Sequence, residues 1–387
     1  MPRWLFALLF AALILYTDDY VIAGILPELA GDLGVSEAQA GQLVTVFSLT
    51  LALSSPVAAV VLANVRRSTL FTITLTVFAV ANLAAAAVSD FWALMVLRVI
   101  AALCAGASTP AVFAWTAAQA PPEKIGRYIS IVALGVTGAI ALGVPAGTLI
   151  AQAVSWRGSF VVLAVCALLA IVMIRSTMVS DVQGEESVPI GRQLRALGSA
   201  PVALTLGVNV VAMSGSMMAF TYFAPFLAGA VPDHELRAVT FALSGLGGIV
   251  GVWFGGVLTD RIGALRTIVV ALLTLALGCA GSWLLWLVAP LESLPLIVVL
   301  VSLGAVQALG AFSLSPALTA RLATTAGDGS NAAIALNTSG TYLGVTIAGA
   351  VGGAVLAGGN AGNVVATATL IVLVAAGMFA ASTRVAK

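Results

Sequence analysis

Histidine occurs once in the 387 residues, at position 234, and cysteine three times, at 104, 166 and 279, each inside an apolar run. One loop histidine builds neither a Ser/His/Asp triad nor a metal site. An odd cysteine count without a C-x-x-C pair supplies neither a zinc ligand set nor a disulfide framework. The thiols are expected to pack as small hydrophobes. Charge is scarce too: Asp, Glu, Lys and Arg make up 8% of the chain, against roughly a quarter in soluble domains. With a net charge of +1 and no Lys/Arg cluster, nothing tracks a phosphate backbone, so no nucleic-acid partner is expected. No phosphate-cradling nucleotide motif occurs either. The expectation is a protein that is not an enzyme and carries no cofactor and no metal.

Hydrophobic residues, by contrast, make up 61%, in runs long enough to cross a bilayer core of about 30 Å with roughly 20 residues each. Lipid demands internally paired backbones, hence helices or a closed barrel. Barrel strands would alternate over short segments, whereas these runs are continuously apolar, so the fold class is all-α integral membrane. Breaks at charged or Gly/Pro-rich turns predict spans near 4–26, 39–63, 68–89, 91–118, 126–153, 157–178, 201–229, 238–258, 264–288, 294–320, 330–357 and 363–383. The longest polar stretch, 179–200, contains Asp181, Glu185, Glu186, Arg192 and Arg195 and reads as a linker between six-helix bundles at 1–178 and 201–387. The first run carries Asp18-Asp19 and no convincing small-residue cleavage site, so it is expected to be a retained span, not a leader.

Orientation follows from the loop Lys and Arg residues. With the N-terminus cytoplasmic, Arg3, Arg66, Arg67, Lys124, Arg127, Arg175, Arg192, Arg195, Arg261, Arg266, Arg321, Arg384 and Lys387 lie inside. Only Arg157 and Arg237 lie outside, with Arg98 within a span. Both termini are therefore expected in the cytoplasm.

Ionised side chains at bilayer depth default to functional candidates, and three exist: Asp18, Asp19 and Arg98. Asp18 precedes Leu26, the predicted outer end of span one, by eight residues, and Arg98 follows Phe91 by seven. At 1.5 Å per residue each lies roughly 11 Å below the same surface, so they can meet. Neighbouring residues point about 100° apart on a helix, so one carboxylate is assigned to Arg98 and the other to the cavity, with the division open. Burial and a like charge favour the neutral acid while an arginine favours the carboxylate, and the pair would titrate jointly. Tyr16, Tyr20, Phe113, Asn209, Met213, Phe220, Tyr222, Gln307, Asn337 and Tyr342 sit at mid-span as candidate cavity residues. Few are strongly polar, which suits an amphiphile with one or two hydrogen-bonding groups. His234, beside Pro232, Asp233 and Glu235, reads as a solvated turn.

The loop Gly255 to Gly263 resembles the signature G-x-L-x-D-R-x-G of the major facilitator superfamily. Small residues there would permit close helix approach, with Asp260 capping a neighbouring helix and Arg261 reaching an acid; Gly256 and Gly263 belong to the same motif. The first-half counterpart departs from it, with Asn64 and Val65 before Arg66-Arg67. Gly135, Gly138, Gly143, Pro145 and Gly147 in span five resemble the antiporter motif of efflux members, where glycines pack tightly and the proline bends the helix. Thr17 to Glu28 and Phe220 to Leu227 resemble the first and seventh spans of sugar-efflux and chloramphenicol-efflux proteins. The resemblance implies two pseudo-symmetric six-helix halves and Asp19 as the characteristic acid. It further implies proton-coupled export, by alternating access, of small amphiphilic drugs, chloramphenicol-like ones among them. Sugar or metabolite efflux is the alternative. The implied setting is a bacterial-type cytoplasmic membrane, with lipid, protons and substrate as partners and a monomeric chain.

Overall fold

The computed structural model describes residues 2–121, 124–178, 191, 197–231, 236–291 and 293–385. The predicted linker charges and His234 lie outside this set. Among the described residues twelve helices are long and apolar enough to cross a membrane, and no strand occurs. They are α1 (Arg3–Leu33), α2 (Glu37–Val61), α3 (Arg67–Ala87), α4 (Phe91–Gln119), α5 (Ile125–Ala153) and α6 (Trp156–Thr177). Then come α7 (Ala200–Thr221), α8 (Leu236–Ile262), α9 (Ala264–Trp286), α10 (Leu294–Thr325), α11 (Ser330–Ala357) and α12 (Ala361–Val385).

The apolar exterior is what a chain solvated by lipid requires: Leu53, Trp92, Leu142 and Trp253 project from the bundle, each about two-thirds exposed or more. Polar groups are turned inward. Lipid offers no hydrophobic drive for helices to associate, so close packing and interhelical hydrogen bonds hold them.

Four corrections to the predicted spans have local causes. α1 continues to Leu33, seven residues past the predicted end, because Pro27 removes one backbone donor without stopping the helix, and the αL residue Gly34 ends it. The seventh run is two helices, α7 and a short helix Phe223–Ala230, with Tyr222 between them. Pro225 cannot donate to the carbonyl of Thr221 and crowds it, which ends α7 there. α5 contains a wide turn at Ala139–Gly143, where the N–H of Val144 reaches back to the carbonyl of Ala139. Pro145 has no N–H for the carbonyl of Ala141, inside that turn, so the expected bend takes the form of a π turn. Finally, Arg67 and Arg321, counted as loop charges, are buried in helix ends, and the Arg321 guanidinium lies 4.8 Å above the Phe379 ring.

α1 to α6 pack largely on one another, as do α7 to α12. The two sets are tied at the end carrying the C-terminal end of α1. There Arg237 of α8 is ion-paired with Glu28 of α1, and the Gly349 carbonyl of α11 accepts from Gln42 of α2 at 3.3 Å and from Tyr222 at 2.7 Å. At the same end Asp32 holds Arg157 and the indole N–H of Trp156, joining α1 to α6.

Candidate functional site

Asp18 and Asp19 are buried in the middle of α1, with exposures of 0% and 2%. The 100° step between them sends them to different surroundings. Asp18 turns to α4, where its Oδ1 lies 2.8 Å from Arg98 Nη1, and Arg98 Nη2 donates to the Asp18 carbonyl at 2.9 Å. The guanidinium stacks 4.1 Å above the Phe47 ring of α2.

Tyr16, at i−3, lies on the Asp19 side of α1, and Tyr20 of α1 and Tyr342 of α11, from the other set of helices, come close enough to act electrostatically on the same group. Neither Asp19 carboxylate oxygen has a hydrogen-bond partner among the described residues. A buried carboxylate left this way is rare enough to require a reason.

From Tyr16 a file of rings leads away: Tyr16 stacks on Tyr20 at 6.3 Å, Tyr20 meets Phe220 edge-on at 5.8 Å, and Phe220 meets Phe241 at 5.4 Å. Phe220 is also a wall of a narrow cavity between α5, α7, α8 and α10, lined by Ile140, Ser216, Ser244, Gln307 and Phe312 among others. The Gln307 amide donates to the Ser216 carbonyl at 3.2 Å. The acid and the apolar cavity are therefore linked by aromatic contacts spanning both sets of helices.

The other expected cavity residues sit elsewhere. Asn209 donates to the Asn337 carbonyl at 2.9 Å and to the Thr341 hydroxyl at 3.0 Å, which clamps α7 to α11. Tyr222 is anchored on Gly349. Met213 packs where α11 presents Gly344, and Phe113 lies half-buried against the core of the first six helices. Ser216, Ser244 and Phe312 carry no sequence signal of their own, being single small or aromatic residues in apolar runs. Arg237, expected in a loop, lies in the first turn of α8 and pairs with Glu28 of α1.

The span-five glycines form one seam. A Cβ on Gly135, Gly143 or Gly147 would collide with Ala12 and Leu13, Thr17 or Val21 of α1, and one on Gly138 would press on Leu13, so they let α5 lie against the helix bearing the acids. Pro145 is buried beside them. On the other side of the π turn, Gly245 of α8 admits Ala141. In the signature loop, Gly255 lies against Ser313 and Pro316 of α10, while Gly256 faces open space. Gly263 has φ +86° and turns α8 into α9, a conformation only glycine adopts without strain. The expected cap by Asp260 and partner for Arg261 are absent among the described residues, because both sit in the last turn of α8, exposed, and α9 starts from the Gly263 backbone.

Residues 8–330 match the description of the Major Facilitator Superfamily. An uncharacterized MFS-type transporter of Bacillus subtilis strain 168, YbcL, is 33% identical over 254 residues, 65% of each chain. A chloramphenicol resistance protein of Streptomyces lividans is 30% identical over 266 residues, covering 67% of this chain and 68% of that one. The chain thus spans about two thirds of the length of the curated relatives it matches. Among solved structures, a POT family transporter in complex with 5-aminolevulinic acid superposes with a TM-score of 0.82 at 11% identity, over 100% of this chain and 97% of that one.

Proposed function

The chain belongs to the Major Facilitator Superfamily, and from that premise we propose that it is a proton-coupled antiporter exporting small amphiphilic molecules, with chloramphenicol-like compounds first to be tried. The observation that carries the proposal is Asp19: a buried, unpartnered carboxylate beside the Asp18–Arg98 pair, reached by tyrosines from both sets of helices. A group so placed can hold a proton when no substrate is near and lose it when a substrate supplies a compensating dipole or charge.

In this scheme the helices form two six-helix units, 1–178 and 201–387, joined by 179–200, in a bacterial-type cytoplasmic membrane with both termini inside and the chain monomeric. The end tied by Arg237 and Glu28 then faces outward. Substrate from the inner side displaces a proton from Asp19, the units rock, and protons entering from outside expel the substrate. Asp18 and Arg98 stay within the N-terminal unit and set the field that Asp19 feels. The Phe220–Phe312 cavity takes the apolar part of the substrate, and Tyr16, Tyr20 and Tyr342 its polar end. Cavity walls with few polar side chains favour an amphiphile over a polyhydroxylated sugar.

The test is transport in proteoliposomes under an imposed pH gradient, with chloramphenicol and a sugar panel as probes. Uptake of chloramphenicol driven by the gradient, abolished in Asp19→Asn, is the expected result. Gradient-driven flux that survives Asp19→Asn removes the carrier role, and flux of sugars alone replaces the substrate class.

A further inference from the structure

Beside the Asp18–Arg98 pair, Ala81, Asn82, Leu97, Arg98, Ala101 and Phe160 line a narrow gap between α3, α4 and α6. Asn82 of α3 and Arg98 are both almost wholly buried, at 2% and 1% exposed. The Asn82 amide N–H donates to the Phe78 carbonyl at 3.0 Å, but its Oδ1 has no partner, and neither has Arg98 Nε. Two buried residues, one with an unpartnered acceptor and the other with an unpartnered charged donor, thus line one gap with no room for a water molecule. Leaving two such groups unsatisfied is expensive, and a bond between them would satisfy both.

We propose that Asn82 is a positioning residue for Arg98: its amide oxygen receives the guanidinium when the proton carried by the Asp18/Asp19 pair resides on Asp18. The inference rests on the proton-antiport reading. The step is an addition of one proton to a carboxylate oxygen of Asp18, with no other bond made or broken. The ion pair is then lost, and a buried guanidinium with no acceptor would strongly oppose the protonation. Asn82 offers the alternative berth. The titratable groups facing Arg98 are Asp18 and Asp19 of α1, with Cys104 of α4 within the field of Asp18; α2 presents Phe47, α3 Asn82 and α6 Phe160, none of them charged. Because α3 has no other polar group at this gap, proton load on α1 would be read by α3 through Asn82 alone.

The test follows the infrared carbonyl band of protonated carboxyls in the purified full chain across pH, assigned by its loss in Asp18→Asn/Asp19→Asn. Asn82→Leu, which lacks the acceptor, should move the midpoint down by about one pH unit, the worth of one hydrogen bond to a charged group. Asn82→Asp, which gives Arg98 a second carboxylate and releases Asp18, should move it up. Asn82→Gln should restore the native midpoint. A role limited to helix packing would leave the midpoint alone or move it in one direction in Leu and Asp variants alike, and either result overturns the proposal. Absence of the band from the native protein would sink the antiport reading and this inference together. A native band indifferent to Asn82 sinks this inference alone.

Discussion

Arg237, in the first turn of α8, forms an ion pair with Glu28, in the last part of α1, and so ties the two sets of helices across the end of the bundle. Arg237 is almost fully buried while Glu28 is about one quarter exposed, which limits the worth of the pair to about 1 kcal/mol. That is still roughly a five-fold change in the balance between closed and open arrangements. Thr45 of α2 lies against Gly349 of α11 at this end and serves as a reporter. With Cys104, Cys166 and Cys279 replaced by Ala, a Thr45→Cys thiol should react about five-fold faster with a water-soluble maleimide once Glu28→Gln is added. Glu37 also lies in the field of Arg237, so Glu28→Gln/Glu37→Gln should exceed the single change. Unaltered reactivity in both would mean that the pair does not hold the seal.

The glycines of the two sequence motifs predict opposite sensitivities. A Cβ on Gly135 would run into Ala12 and the backbone nitrogen of Leu13, a part of α1 that cannot rotate away, whereas one on Gly256 meets nothing within 4 Å. Gly135→Ala should cost about 1–3 kcal/mol through forced separation of α1 and α5. Gly256→Ala should be neutral within about 0.5 kcal/mol. Thermal unfolding of both variants in one detergent decides the matter, and equal melting points would count against the seam.

Tyr222 separates anchoring from binding. Its hydroxyl donates to Gly349 at 2.7 Å and its ring lies over Gly41 and Gly352. Tyr222→Phe keeps the ring and removes one neutral hydrogen bond, so stability should fall by about 1 kcal/mol. The concentration dependence of chloramphenicol transport should not change. A raised half-saturation concentration with unchanged stability would return Tyr222 to the cavity wall.

The legible part of this molecule was whatever violates the apolar background. Asp18, Asp19 and Arg98 stand out as charges, and rise per residue alone brought them to one level, although α1 extends to Leu33 and the reference point Leu26 was not its end. Which acid faces Arg98 depends on helix rotation, and the two neighbours differ by 100° that no residue pattern fixes. Pro145 announced a distortion of α5 but not that it would be a π turn, since the choice depends on how Thr17 and Ala141 pack around it. Asn209 looked like a cavity residue because a polar side chain in a span has to face something polar; its partners on the adjacent helix satisfy that rule as well as a ligand does, whereas Asn337 Oδ1 is buried with no partner among the described residues. The cavity around Ser216, Ser244 and Phe312 was invisible because its walls are made of residues common to every span.

The pairing of Asp18 with Arg98 makes the two acids unequal in a way that stability measurements can read. Asp18→Asn leaves a guanidinium that is 1% exposed without its anion, and stranding a buried charge costs roughly 3–5 kcal/mol, less the part that a bond to Asn82 recovers. Arg98→Gln strands Asp18 in turn, but a carboxylate can take up a proton and become neutral, so its cost should be smaller and should shrink as pH falls. Asp19→Asn removes no partner from anything and should unfold close to the native temperature. The double variant Asp18→Asn/Arg98→Gln replaces an ion pair with two neutral amides and should recover much of the loss, since a neutral pair owes little desolvation. Four melting curves in one detergent at two pH values therefore give an ordering: Asp18→Asn lowest, Arg98→Gln next and pH-sensitive, the double variant and Asp19→Asn near native. An Asp19→Asn variant as unstable as Asp18→Asn would mean that both carboxylates hold the arginine, and the free acid on which the antiport scheme depends would be lost.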